Sequence, residues 1–209
     1  MMAGHPEDAE IRFLTGTYAP MPEAERCRRG IAELDLGCGT GSYAIELARR
    51  FPERYIFAAD VMLGRLRKVV RRRARAGVEK NLAILRTEAR FLIGFAAPDG
   101  SFDRIHLLCP DPWPKDRHRG HRLLSSDFTA QLHRVLKPEG IFHFSSDDEA
   151  YCAAVREVLE TSKLFRADAP DPALAGIVSD FERRWRDLGR TVTHLFYRRL
   201  PLPPKTIGH

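Results

Sequence analysis

From about residue 31 onward, short apolar runs alternate with stretches whose apolar positions recur at helical spacing. The runs at 31–36, 55–59, 82–85, 103–108 and 141–145 are dominated by aliphatic and aromatic side chains and predict strands. The segments between and after them predict helices at 42–51, 63–76, 89–95, 126–136 and 148–162. In the first of these, Ile45, Leu47, Ala48 and Phe51 fall on one side, and Gly77 closes the second. The turn Lys137-Pro138-Glu139-Gly140 leads into the fifth strand. Later the rhythm changes: 164–167 and 192–198 predict two more strands, with a polar insertion between them that is helical in its second half. Repeated strand–helix units predict an α/β fold with a mainly parallel, seven-stranded sheet, helices on both faces and a closing antiparallel pair. Residues 1–30, with Pro6, Pro20 and Pro22, read as an N-terminal arm, 31–200 as one domain and 201–209 as an extended tail. In such sheets ligands sit beyond the carboxyl ends of the strands, here after Leu36, Ala59, Leu85, Leu108 and Ser145.

Length and charge narrow the class. A chain of 209 residues can bury a core without disulfides or metal. Cys27, Cys38, Cys109 and Cys152 show no CxxC pair and read as reduced thiols. The polar, acidic start is not a signal peptide, and no apolar run approaches a membrane span, so the expectation is a cytoplasmic protein. A net charge of +6 makes a polyanionic partner plausible without identifying one. The helix at 63–76 carries seven cations and no acid, on more than one face, for RNA or for solvent. His118 and His121 lack a third ligand, so no metal is expected. Arg183, Arg184 and Arg186 near Trp185 either extend an RNA surface or form a solvated helix face.

The first strand runs into ELDLGCGTGS. Gly37, Gly39 and Gly41 permit a sharp turn and close approach of a ligand, and the following helix offers free N–H groups. The spacing is neither the dinucleotide GxGxxG nor a phosphate-clasping loop. Cys38 within it reads as a packing residue. Asp60 ends the second strand, where a carboxylate takes a ribose diol. Glu88 follows the third and suits an adenine amino group. Asp35 precedes the glycines and suits an ammonium. Three acids around a glycine loop favour S-adenosylmethionine over a pyrophosphate cofactor such as NAD.

After the fourth strand comes Pro110-Asp111-Pro112-Trp113-Pro114-Lys115-Asp116-Arg117-His118. Three prolines stiffen it, so ordering it costs little. Trp113 serves either base stacking or packing, and the cations suit phosphates. With this stretch, with SDDEAY at 146–151 and with SDFERRWRDLG at 179–189, the chain resembles the class I, Rossmann-like S-adenosylmethionine-dependent methyltransferases. Specifically, it resembles the bacterial tRNA (guanine(46)-N7-)-methyltransferase family. The resemblance implies methyl transfer to guanine N7 in the tRNA variable loop, with Asp111 catalytic. It implies a cofactor site of Asp35, Gly37, Gly39, Gly41, Asp60, Glu88 and Asp111. It implies a guanosine site of Lys115, Arg117, His118, Asp147, Ser179, Asp180, Phe181 and Glu182. Gly120-His121 stands where the family carries cations. That departure favours the rival readings: a methyltransferase of this fold for another RNA or a small substrate, or a non-catalytic RNA-binding paralogue.

Overall fold

The apolar runs all form strands, and one more strand lies within the expected irregular arm. A computed structural model describes residues 5–14, 21, 30–111 and 123–202. A 3-10 turn, Pro6–Glu10, precedes β1 (Arg12–Phe13). Then come β2 (Ala32–Leu36), α1 (Ser42–Arg50), β3 (Tyr55–Asp60), α2 (Leu63–Ala76) and β4 (Leu82–Arg86). The short α3 (Ala89–Phe91) continues as a π-helical turn, Leu92–Ala96, before β5 (Phe102–Leu108). The chain closes with α4 (Ser126–Val135), β6 (Leu136–Ser146), α5 (Glu149–Ser162), β7 (Phe165–Asp168), α6 (Asp180–Asp187) and β8 (Thr193–Arg199).

These strands form one sheet in the order β1-β4-β3-β2-β5-β6-β8-β7. Only β8 runs antiparallel, to β6 on one side and β7 on the other. The expected seven strands become eight because β1 pairs with β4, through Arg12 with Leu85 and Phe13 with Arg86. Two residues are too few to show an alternation in sequence. Apolar side chains of α1 and α2, among them Leu47, Leu66 and Val69, are buried on one face of the sheet. Those of the π-helical turn, α4 and α5, among them Ile93, Leu132 and Leu159, are buried on the other. Each such side chain contributes roughly 1.5–3 kcal/mol of transfer free energy.

The helix expected at 126–136 stops at Val135, and the turn expected at 137–140 is absorbed into β6. A register shift against β5 falls there, between Phe102 and Arg104. Glu139 adopts a left-handed φ of 61°. Gly140 is forced by crowding, since a Cβ would lie 2.8 Å from the Lys137 carbonyl oxygen. No helix among the described residues is long and apolar enough to cross a membrane. None of their His, Cys, Asp and Glu side chains form a metal-binding group of three or more.

Candidate active site

The central strand β2 is buried along its whole length, and its side chains alternate between the two faces. Leu34 and Leu36 enter the core beneath α3 to α5, and Glu33 and Asp35 point to the other face. Beyond Leu36 the chain turns through Gly37, Gly39 and Gly41, whose φ values are 79°, 57° and 78°. The Gly37 and Cys38 N–H groups donate to the Ala59 carbonyl at 2.8 and 2.9 Å, tying the loop to the end of β3. Gly41 is the N-cap of α1. A Cβ there would meet Val69 Cγ1 at 2.8 Å, so the glycine also lets α2 pack against the loop.

Asp35 is 2% exposed, and its Oδ2 has no hydrogen-bond partner. Burial, aided by the nearby Asp60 charge and only partly offset by the Ala44 N–H, pushes its carboxyl up to about 7. An orphaned buried carboxyl at the root of a glycine loop fits a cationic ligand group.

Asp60 braces the loop. Its Oδ2 accepts the Gly39 N–H at 3.0 Å and its Oδ1 the Met62 N–H at 2.7 Å, with Arg65 at 3.6 Å. A carboxylate has about four acceptor sites, so capacity for a diol remains. Glu88 is exposed and caps α3, accepting the Phe91 N–H at 2.9 Å.

At the end of β5 the chain turns sharply, with Cys109 at a φ of 47° and its N–H donating to Ser145 at 2.8 Å. Left-handed backbone at a non-glycine residue is uncommon and carries strain. Asp111 follows, exposed. Lys115, Arg117 and His118, like Trp113, lie outside the described residues. Asp147 follows β6 and accepts from Arg190 at 2.9 Å, while Asp148 caps α5.

The segment 179–182 folds directly over the glycine loop. Ser179 caps α6 by accepting the Glu182 N–H. Asp180 is the docking point: its Oδ2 accepts from Thr40 at 2.8 Å and from Arg72 at 2.6 Å, and its N–H donates to Ser42 at 2.8 Å. Burial raises the Asp180 pKa, but the hydrogen bonds from Arg72 and Thr40 outweigh it, so the group lies below its ordinary value. Phe181 comes within 3.9 Å of where a Gly39 Cβ would stand. Asp35, Gly37, Gly39 and Leu108 thus share one narrow pocket with Ser179 and Phe181. Glu182 turns inward, 1% exposed, and accepts from Arg186 at 2.5 Å and from His194 at 3.1 Å. Glu88, Asp111 and Asp147 stand at their own strand ends and do not line that pocket. Sequence reasoning missed Thr40, Ser42 and Arg72, which hold α6 in place. No local pattern marks them, because their partner lies more than 100 residues away.

The cations of α2 are largely spoken for. Arg65 and Arg72 face Asp60 and Asp180. The acidic turn ahead of β1 covers three more: Asp8 accepts from Arg67 at 2.7 Å, Glu7 from Arg71 at 2.7 Å, and Glu10 pairs with Arg73.

A parallel sheet with a glycine turn after its central strand and acids at the neighbouring strand ends defines the class I, Rossmann-like methyltransferase fold. A 16S rRNA (adenine(1408)-N(1))-methyltransferase variant from Catenulisporales acidiphilia, solved with its cosubstrate, superposes with a TM-score of 0.61 at 20% identity, covering 88% of this chain and 92% of that one. A family model described as "Putative methyltransferase" matches residues 30–195. The tRNA (guanine-N(7)-)-methyltransferase of Syntrophotalea carbinolica is 34% identical over 172 residues, 80% of this chain and 74% of its own. That of Thermotoga maritima is 30% identical over 164 residues, 78% of this chain and 52% of its own. This chain belongs to the tRNA (guanine-N(7)-)-methyltransferase family. It spans only about half the length of the Thermotoga maritima relative.

Proposed function

We propose that this chain transfers a methyl group from S-adenosylmethionine to N7 of guanine 46 in the tRNA variable loop, in the cytoplasm. The observation that carries the reading is the adjacency of two strand ends. β2, which ends in the glycine loop, pairs directly with β5, which ends in the proline-rich motif with Asp111. Asp35 and Leu108 accordingly line one pocket. Asp35, the glycine loop, Asp60 and Glu88 would hold the cofactor, which supplies the methyl on a sulfonium when bound.

Guanine N7 offers a free lone pair, so no base need remove a proton before attack. The chain's task is positioning, and positioning can supply most of the rate. Asp111 would stabilise the positive charge that methylation leaves on the purine. Asp147 and the segment Ser179–Glu182 would select the base by accepting from its N1–H and amino group. Lys115, Arg117 and His118 would meet phosphate oxygens. Gly120-His121 favours one second reading, methyl transfer to another RNA.

The test is transfer from labelled S-adenosylmethionine to unmodified tRNA, with the product nucleoside identified by mass. The expected product is 7-methylguanosine in the variable loop. Transfer to another nucleoside, or none despite measurable cofactor binding, overturns the assignment. Asp111→Ala should lower transfer at least a hundredfold while cofactor affinity stays within about twofold.

A further inference from the structure

Three neighbouring strands and one partner strand each carry a titratable side chain on the α1/α2 face of the sheet. Together with α6 these side chains form an unbroken chain of hydrogen bonds. Glu33 Oε2 meets His106 Nε2 at 2.9 Å. His106 Nδ1 meets His143 Nδ1 at 3.0 Å. His143 Nε2 meets His194 Nδ1 at 2.9 Å, and His194 Nε2 meets Glu182 Oε1 at 3.1 Å. Glu33, His106, His143 and Glu182 are all 2% exposed or less. A cavity of about 440 Å³ beneath residues 170–178 opens onto His143, His194 and Glu182.

Other charged and titratable groups surround the chain. Arg54 and Arg104 both donate to Glu33 Oε1, at 2.6 and 3.0 Å, and Arg104 also pairs with Asp171. The Tyr43 hydroxyl lies 3.4 Å from His106 Nδ1. Asp35 sits two residues beyond Glu33 on the same strand face. Arg186 donates to Glu182. Burial raises the Glu33 pKa, but His106, Arg104 and Arg54 together bring it down to about 2. Burial likewise raises Glu182, and His194 and Arg186 outweigh it, so both ends are ionised acceptors.

Two carboxylates that only accept, joined through three imidazoles, make four hydrogen bonds and need four ring protons. Three neutral imidazoles carry three. With three, one nitrogen–nitrogen contact sets lone pair against lone pair. With five, one sets N–H against N–H.

We propose that this buried chain holds one proton beyond the three of neutral imidazoles and passes it between its Glu33 and Glu182 ends, setting the charge beside the 179–182 segment. Its bearing on catalysis rests on the reading of that segment as part of the acceptor site. The transfer balances. The His194 Nδ1 proton moves to His143 Nε2 as the His143 Nδ1 proton moves to His106 Nδ1. Positive charge leaves His194 and arrives on His106, and no atom is gained or lost. Burial, then the charges of His106 and His194, push His143 well below the ordinary imidazole value, so the middle ring is the neutral point of transit. Two guanidinium groups already serve Glu33, whereas among the described residues one, Arg186, serves Glu182, with its side chain 57% exposed. The proton therefore rests on His194, and a cation forming beside Glu182 drives it to His106.

Ring-nitrogen magnetic resonance on the full chain with labelled histidine, without RNA or cofactor, tests the count. At neutral pH the wild type should show four protons across these three rings, and the three should shift together in one single-proton step. His143→Phe keeps a ring stacked on Phe196, which lies 4.2 Å from His143 centroid to centroid. It splits the chain into two satisfied pairs, so it should show two ring protons and no step. If that variant does not fold, Glu33→Gln, whose amide can donate to His106, should show three and no step. Three protons in the wild type, two imidazolium rings at once, or an unchanged step in a folded variant overturns the proposal. These spectra stand whether or not tRNA is the acceptor. In methyl transfer, the limb of the pH–rate profile that coincides with the step should vanish in His143→Phe, and its persistence would break the link to the acceptor site.

Discussion

At the scale of the residue, Asp35 is the most informative group. Its carboxyl titrates near 7 in the fold and near 3.9 in an unfolded chain. The folded state therefore binds the extra proton between about pH 4 and pH 7, and stability falls as pH rises through that window. Asp35→Asn should flatten this part of a denaturation profile. A cationic ligand facing Asp35 should drive it to ionise. Binding of S-adenosylmethionine near pH 6 should then release up to about one proton, read by calorimetry in buffers of different ionisation enthalpy. Equal apparent enthalpies in all buffers would remove the group from the cofactor site. Gly41 makes a second residue-scale case. Gly41→Ala combines a left-handed φ, costing roughly 1–2 kcal/mol, with overlap on Val69, costing about 1–3 kcal/mol more. Gly39→Ala should cost only the first amount, because nothing lies closer than Phe181 at 3.9 Å. Urea titration of the two variants separates the contributions.

At the scale of the element, α6 is held by its first turn. Its other end carries the cations Arg184 and Arg186, and its only buried residue is Glu182. Asp180→Ala removes the acceptor for Thr40 and Arg72 together. With Asp180 partly solvated, the loss should be on the order of 1 kcal/mol. It should appear as faster hydrogen exchange across 180–187 with little change in the central strands. Unchanged exchange would show that the helix is held elsewhere. The helix itself was legible in the sequence, since Ser179 stands three residues before Glu182 in the manner of a capping box. Its position was not, because nothing local ties Asp180 to Thr40. The strands were legible for the opposite reason, as their apolar runs report burial on both faces. The same reading hid Glu33, His106 and His143 as odd polar letters within apolar runs. A titratable residue at the centre of adjacent buried strands was the signal available.

At the scale of the whole molecule, the basic helix and the acidic arm have to be considered as one surface. The sequence set them 50 or more residues apart as separate features, and folding brings Glu7, Asp8 and Glu10 onto α2. Three of its guanidinium groups therefore carry less free charge than a count of residues suggests. Replacing the acids together, Glu7→Gln, Asp8→Asn and Glu10→Gln, should tighten tRNA binding at low salt. It should also steepen the slope of log affinity against log salt by up to about 0.7–0.9 per freed cation that reaches a phosphate. Fluorescence anisotropy across a salt series would show this, and an unchanged slope would place α2 away from the RNA.

The strand that follows the acidic turn has a different consequence. β1 contributes only two residues, yet it covers the carboxyl end of the β4 edge at Leu85 and Arg86, and the Leu14 N–H adds a bond to Arg86 at 3.0 Å. Without it, Leu82–Arg86 would offer an apolar, unpaired ribbon edge to any neighbouring molecule, the usual template for aggregation. At the opposite flank, β7 alternates Arg166 and Asp168 with apolar residues, and charge there discourages such pairing. A protease cut within residues 5–14 should therefore leave the pocket intact and send the protein out of solution, so that the arm decides how long the protein survives as a monodisperse species.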